Sequence, residues 1–217
     1  MFYPKTPCLW KRDPKTKQLW RGEYSCPEFD NIKYWDVTEK IDGTNTVIEF
    51  DITDEDYITP RITFRGRTKK SIIRPNLLTY LHHKFTIELF RNVFPNRSKV
   101  ILFGEGYGGN IQAAGQLYSE DIKFILFDIV IGNSWLDREF VNEKAKSLGI
   151  YPVPSLGIMT KEEIIKTVES QPISFCSDEL QIMEGVVCRP QPLMLYRSRT
   201  PITFKLRDKD IKQSIEV

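Results

Sequence analysis

Hydrophobic positions along most of this chain fall in short runs rather than long periodic stretches, which predicts strands joined by turns. Ile32 to Thr38 and Thr46 to Phe50 are rich in β-branched and aromatic residues, and Asp42-Gly43 lies between them. Asp-Gly between two such runs predicts a hairpin, with strands over about 32–39 and 45–51. An acidic turn from Asp51 to Asp56 and a further strand from Pro60 to Phe64 follow. The spacing then changes: Leu78, Leu81, Phe85 and Leu89 recur every three to four residues, which predicts an amphipathic helix from Pro75 to Phe90. Lys99 to Phe103, ending in a glycine-rich loop, and Lys123 to Val130 are near-continuous apolar runs that read as buried strands. Asp137 and Gly149 bound a helix over about 138–148, and Thr160 with Glu163 forms a capping box for another reaching about Glu169. Met183 to Cys188 and Thr203 to Leu206 supply the last strands, while residues 1–30 show no period and read as an irregular N-terminal arm. Many strands with a few interspersed helices define an α+β class, mainly antiparallel sheets with flanking helices, in a single domain over 1–217.

Composition narrows the class little. The 217 residues are 41% hydrophobic and 28% charged, an ordinary globular balance. Thirty-one basic against 29 acidic residues leave +2, so net charge does not call for a nucleic-acid partner. Local charge changes that picture. Arg61, Arg65, Arg67, Lys69, Lys70 and Arg74 crowd one stretch, and Arg197, Arg199, Lys205, Arg207, Lys209 and Lys212 another. Each is either a solvated face, the usual fate of such runs, or a phosphate-binding surface. Cys8, Cys26, Cys176 and Cys188 form no C-x-x-C pair, and His82 and His83 add no zinc pattern, so reduced thiols and an intracellular, cytoplasmic setting are expected. No secretory leader or membrane-spanning run is read from the sequence.

One motif invites a wrong reading. Gly104-Glu105-Gly106-Tyr107-Gly108-Gly109 satisfies G-x-G-x-x-G after an apolar strand, with Asp128 at the end of the next. A dinucleotide fingerprint must open a helix packed on a parallel sheet. Asn110 to Asp121 is short, polar and broken by Gly115, so that reading is set aside.

The chemistry lies in charged residues at strand ends: Lys40 in Lys40-Ile41-Asp42-Gly43-Thr44-Asn45, Arg67, Glu105, Asp128, Glu184, and Lys205 with Arg207. Charges at the edges of apolar strands are costly unless they meet partners or ligands. Lys205 and Arg207 alternate with Phe204 and Leu206, so both cations share one strand face and suit phosphate oxygens. Glu105 and Glu184 suit a ribose hydroxyl or a divalent metal. A bare K-x-D-G is most often a surface lysine beside a turn, and Phe127 alone reads as core; one nucleotide pocket accounts for the whole set.

These residues resemble the nucleotidyltransferase domain of ATP-dependent RNA ligases of the RNA ligase 2 type, within the covalent nucleotidyltransferases that include DNA ligases and capping enzymes. The resemblance runs over roughly residues 34–209, through K-I-D-G-T-N, R-T, F-G-E, G-N-I-Q, F-D, E-G-V-V and F-K-x-R in order. It implies a nucleotidyltransferase (ATP-grasp-like ligase) catalytic domain with Lys40 as the nucleophile that attacks the α-phosphate of ATP. An ordinary lysine amine is protonated at neutral pH, and neighbouring cations and a metal ion favour the attacking neutral form. By the resemblance, Glu39 lies next to the adenine, Ile41, Asn45 and Arg67 belong to the AMP site, Glu105 binds the ribose and Phe127 stacks on the base. Gln112 is linked to the sealing steps, Glu184 holds Mg²⁺ or Mn²⁺, Lys205 and Arg207 hold phosphates, and Arg189 is a further basic contact.

The implied activity is ATP-dependent sealing of RNA: adenylylation of Lys40, transfer of AMP to a 5′-phosphate end, and attack by a 3′-hydroxyl. DNA ligation, GTP-dependent capping and a non-ligating nucleic-acid-binding relative are the alternatives; Ile41 and Thr44-Asn45 favour the RNA branch. The sequence departs from the family in two places. Arg207 stands where the last motif usually has a lysine, an exchange that is not neutral at a phosphate site. The sequence also stops at Val217, about ten residues past that motif, so no C-terminal helical or OB domain is expected, and a partner protein could supply one.

Overall fold

A computed structural model describes residues 1–51, 60–68, 70–95, 97, 99–113 and 115–216. The acidic turn expected at 52–56 and Lys69 of the first basic cluster lie outside the described residues. In chain order the elements begin with β1 (Trp10–Arg12), β2 (Leu19–Tyr24), β3 (Trp35–Glu39), β4 (Thr44–Asp51) and β5 (Arg61–Gly66). Next come α1 (Pro75–Lys84), α2 (Ile87–Val93), β6 (Lys99–Tyr107), α3 (Gly115–Tyr118), β7 (Lys123–Ile131) and β8 (Ser134–Trp135). The chain continues through α4 (Arg138–Ser147), β9 (Tyr151–Pro152), β10 (Ser155–Met159) and α5 (Lys161–Glu169). It closes with β11 (Gly185–Pro190), β12 (Phe204–Arg207), α6 (Asp208–Lys212) and β13 (Ser214–Glu216).

The architecture is α+β with mainly antiparallel sheets, as the strand-rich pattern predicts. The chain divides into two compact units, one of Met1–Tyr3 and Asp42–Val153, the other of Pro4–Ile41 and Pro154–Val217. The first is built on a sheet ordered β5-β4-β6-β7-β8, with β9 added beside β7. One face carries Ile48, Phe50, Leu102, Phe124 and Leu126, packed against Leu77 and Leu81 of α1, Phe90 of α2 and Val141 of α4. The second contains the sheet β10-β3-β11-β12 and a small sheet β1-β2-β13. Its core gathers Trp10, Phe29, Trp35, Val37, Val186, Phe204 and Leu206 with Ile164 and Val168 of α5.

Three expectations are corrected here. The hairpin predicted at Asp42-Gly43 does not form: β3 pairs with β10 and β11, while β4 pairs with β5 and β6. Gly43 serves close approach rather than a tight turn, since a Cβ there would lie 2.4 Å from the Gly106 carbonyl oxygen. Residues 1–30 are not an irregular arm throughout, because β1 and β2 pair, and β2 also takes β13 in parallel. The strand expected to end at Phe103 runs on to Tyr107 as β6, antiparallel to β7, with Gly108 and Gly109 in the turn after it, in keeping with the rejected dinucleotide reading. Smaller differences have local causes. The helix predicted over 75–90 is two, because Thr86 caps α2 by accepting the Leu89 N–H at 3.1 Å. The caps at Asp137 and Thr160 form as expected.

Lys161 shows how a cation can serve the interior. Its ammonium is buried and donates to the carbonyls of Phe29, Asp30 and Ile32 at 2.8, 3.3 and 3.0 Å. Lys161→Met strands those acceptors, and an expected loss of about 2–4 kcal/mol in urea unfolding follows from the cost of unmet buried polar groups. A change under roughly 0.5 kcal/mol would show that the acceptors find water instead. Among the described residues no helix is long and apolar enough to cross a membrane. The four cysteines are free thiols.

Candidate active site

In the second unit, Lys40 follows β3 directly, and its backbone N–H donates to the Gly185 carbonyl at 2.9 Å. That bond ties the lysine to the start of β11, where Glu184 immediately precedes Gly185. The Lys40 ammonium ion-pairs with the Glu184 carboxylate and lies 3.5 Å from the Ile41 carbonyl oxygen. Both partners are about one-fifth exposed, at 22% and 20%. The amine is therefore held in place yet open to a ligand.

The register explains which side chains join it. Val187 lies opposite Lys205, and Gly185 opposite Arg207, on β12. Val187 also lies opposite Thr38 on β3. Cross-strand partners project to the same face, so Thr38, Lys205 and Arg207 share one side of the sheet. Lys205 is half-buried, and its pKa is lowered first by burial and then by the charges of Arg207 and Lys40. Arg207 spends its fork on Asp210, with Nε 2.7 Å from Oδ2 and Nη2 2.6 Å from Oδ1. Its expected partner was a phosphate.

Glu39 points the other way. It is buried, and its carboxylate accepts the Ser174 hydroxyl and, at 3.0 Å, the Phe175 N–H. Burial raises its pKa, while these two hydrogen bonds oppose the rise. Ile41 is also buried. Arg189, expected as a further basic contact, is an interior residue 3.9 Å from Asp36.

In the first unit, Asn45 on β4 lies opposite Glu105 on β6, so their side chains share the sheet face turned away from α1. Among the described residues the buried Asn45 Oδ1 has no hydrogen-bond partner, which leaves it as an acceptor for a ligand's donor. Phe127 owes its position to a bulge. Phe103 pairs with Asp128 and Gly104 with Leu126, leaving Phe127 as the extra residue on β7. The Arg138 guanidinium donates to its carbonyl at 2.9 Å. Tyr3 packs edge-on against the Phe127 ring at 4.9 Å and donates its hydroxyl to Asp128 at 2.6 Å. Gln112 donates to the Gly43 carbonyl at 2.9 Å, and Arg67 is exposed one residue beyond β5.

The structure thus gathers Lys40, Glu184, Lys205 and Arg207 in one unit and places Asn45 and Glu105 side by side in the other. The sequence reading missed Ser174, Asp210, Arg138 and Tyr3. Asp210 alone left a signal, an acid three residues after Arg207. Among the described residues no three acidic, histidine or cysteine side chains gather as a metal site. Glu184 is a single carboxylate, the kind of ligand that suits Mg²⁺ when substrate phosphates complete the shell.

A strand-rich α+β domain with a partly buried lysine paired to a glutamate defines the class, and the family model makes it specific. The model of the RNA ligase family matches residues 33–207, so the chain belongs to the RNA ligase family. Solved structures share the fold. A Naegleria gruberi RNA ligase determined with pyrophosphate aligns with a TM-score of 0.64 at 21% identity, covering 94% of this chain and 59% of that one. A variant of that ligase determined with ATP and Mn aligns with a TM-score of 0.62 at 20% identity, with the same coverage. An archaeal ATP-dependent RNA ligase aligns with a TM-score of 0.59 at 17% identity, over 97% of this chain and 49% of its own. The chain therefore spans about half to three-fifths of the length of these ligases. A search of curated protein sequences returned no significant match.

Proposed function

We propose that this protein is an ATP-dependent RNA ligase domain that works through a lysyl-AMP intermediate on Lys40. The observation that carries the reading is the Lys40–Glu184 ion pair, on a sheet whose neighbouring cation Lys205 is half-buried. Once its ammonium has given up a proton to solvent, Lys40 Nζ attacks the α-phosphorus of ATP, a nitrogen–phosphorus bond forms as the bond to the bridging oxygen breaks, and pyrophosphate leaves. Glu184 holds the amine in line before the attack. Lys205 draws the phosphates, because an ammonium crowded by like charges gains most from an arriving anion.

Asn45 Oδ1 accepts a donor of the nucleoside, Glu105 takes the ribose, and Phe127, held out by its bulge, offers a face for the base. A divalent ion bound at the phosphates would supply charge neutralisation, with Glu184 as its protein ligand. AMP then passes to an RNA 5′-phosphate, and a 3′-hydroxyl displaces it. Exposed Arg67, Lys70 and Arg74 in the first unit, and exposed Arg197 and Lys209 in the second, each offer an RNA backbone cations whose grip weakens with salt. The Naegleria structures with ATP, Mn and pyrophosphate support the choice of nucleotide, metal and leaving group.

The test is incubation with ATP or GTP labelled at the α-phosphate, with Mg²⁺, followed by a denaturing gel. Label is expected to stay on the protein from ATP and not from GTP. Retention from GTP would point to capping chemistry, and no label from either would sink the proposal. Nicked duplex and single-stranded RNA, each against the DNA equivalent, then identify the sealed substrate.

A further inference from the structure

The two cations of β12 have opposite circumstances. Asp210 is completely buried, at 0% exposed, and grips Arg207 three times: through Nε at 2.7 Å, Nη2 at 2.6 Å and the backbone N–H at 3.1 Å. The Arg12 guanidinium, from β1, stands 3.7 Å from the same carboxylate. Arg12 lies outside the span matched by the family model, so this second cation comes from a part of the chain the family pattern does not cover. Lys205, two residues earlier on the same strand face, has no side-chain hydrogen bond or ion pair among the described residues. Its backbone is pinned on both sides, by its N–H to the Pro7 carbonyl at 2.9 Å and by its carbonyl to the Leu9 N–H at 3.0 Å. A half-buried ammonium without a partner is costly, and an anion removes that cost.

We propose that Asp210 is a positioning residue that commits Arg207 to the protein, leaving Lys205 as the cation of β12 that takes a nucleotide's phosphates. This rests on the phosphate-directed reading of β12 given above. The chemistry follows from guanidinium geometry. A planar fork matches both oxygens of one carboxylate, which a lysine ammonium cannot do. Arg207 and Asp210 therefore act as one unit, and the arginine in this motif is matched to the acid three residues later. Lys40, Glu184, Arg207 and Asp210 are the charged groups acting on Lys205. Of these, Asp210 and Glu184 hold its charge and Arg207 and Lys40 oppose it, so loss of Asp210 leaves Lys205 more easily deprotonated.

Binding of inorganic pyrophosphate, measured by calorimetry in Mg²⁺ buffer, tests this without requiring turnover. Lys205→Ala is expected to weaken binding by at least about tenfold. Arg207→Gln and Arg207→Lys are expected to weaken it alike, by about threefold, because neither replacement restores the fork. The Arg207→Gln and Asp210→Asn changes are expected to be non-additive, the double variant binding no more weakly than Asp210→Asn alone. If Asp210→Asn fails to fold, the comparison of the two Arg207 variants decides the matter. Wild-type affinity in Arg207→Lys with a tenfold loss in Arg207→Gln would make Arg207 itself a phosphate ligand and overturn the inference. So would an unchanged Lys205→Ala, or a wild-type protein that binds no pyrophosphate. Labelling with ATP, run in parallel, separates the two readings. The expected binding pattern without label counts against the ligase proposal alone, and label with a fully active Arg207→Lys counts against this inference alone.

Discussion

Lys40→Ala is expected to abolish retention of label from ATP, a fall of at least roughly four orders of magnitude, as for loss of a covalent nucleophile. Lys40→Arg is expected to be equally inactive, because a guanidinium keeps its proton and offers no lone pair for attack. The fold should hardly notice. The Lys40–Glu184 pair is partly exposed, so its loss is worth at most about 1 kcal/mol. A labelled band that persists in Lys40→Ala, with melting unchanged, would place the nucleophile elsewhere.

Gly185→Ala is expected to be among the most damaging single-methyl changes, and it falls next to the site. Its φ is +150°, and a Cβ there would lie 2.2 Å from the Leu206 carbonyl oxygen and 2.5 Å from the Arg207 Cα. Both are backbone atoms of the ladder between β11 and β12, so neither can step aside as a flexible side chain could. The Gly185 carbonyl also accepts the Lys40 N–H, and Glu184 is its neighbour. Strain at this point spreads into the site. We expect a loss of about 3 kcal/mol or more by urea unfolding, and a large loss of adenylylation in whatever protein remains folded. Destabilisation under about 1 kcal/mol would mean that the two strands separate more easily than their close approach implies.

Strands with one buried face announced themselves through β-branched and aromatic runs, and helix starts through Asp137 and Thr160, because these signals are local. The Asp-Gly hairpin failed for the opposite reason. Both flanking runs are strands, but a strand's partner is set by distant segments, and β11 is some 145 residues from β3 in sequence. β1 and β2 were missed for a similar cause: short strands with no clear alternation gain definition only by pairing with each other and with β13.

The sequence by itself determined which residues are proposed for the chemistry. Lys40, Glu105, Phe127, Glu184 and Lys205 all fall within residues 33–207, the span that the RNA ligase family model matches. The tertiary structure decided what each of them is free to do. It gave Glu39 to Ser174, lifted Phe127 out of register at a bulge, and buried Asp210 completely, with Lys205 left without a side-chain hydrogen bond or ion pair among the described residues. The physical reason is the range of the forces involved. Strand propensity and capping act within a few residues, whereas burial and ion pairing depend on which segments the sheets bring together.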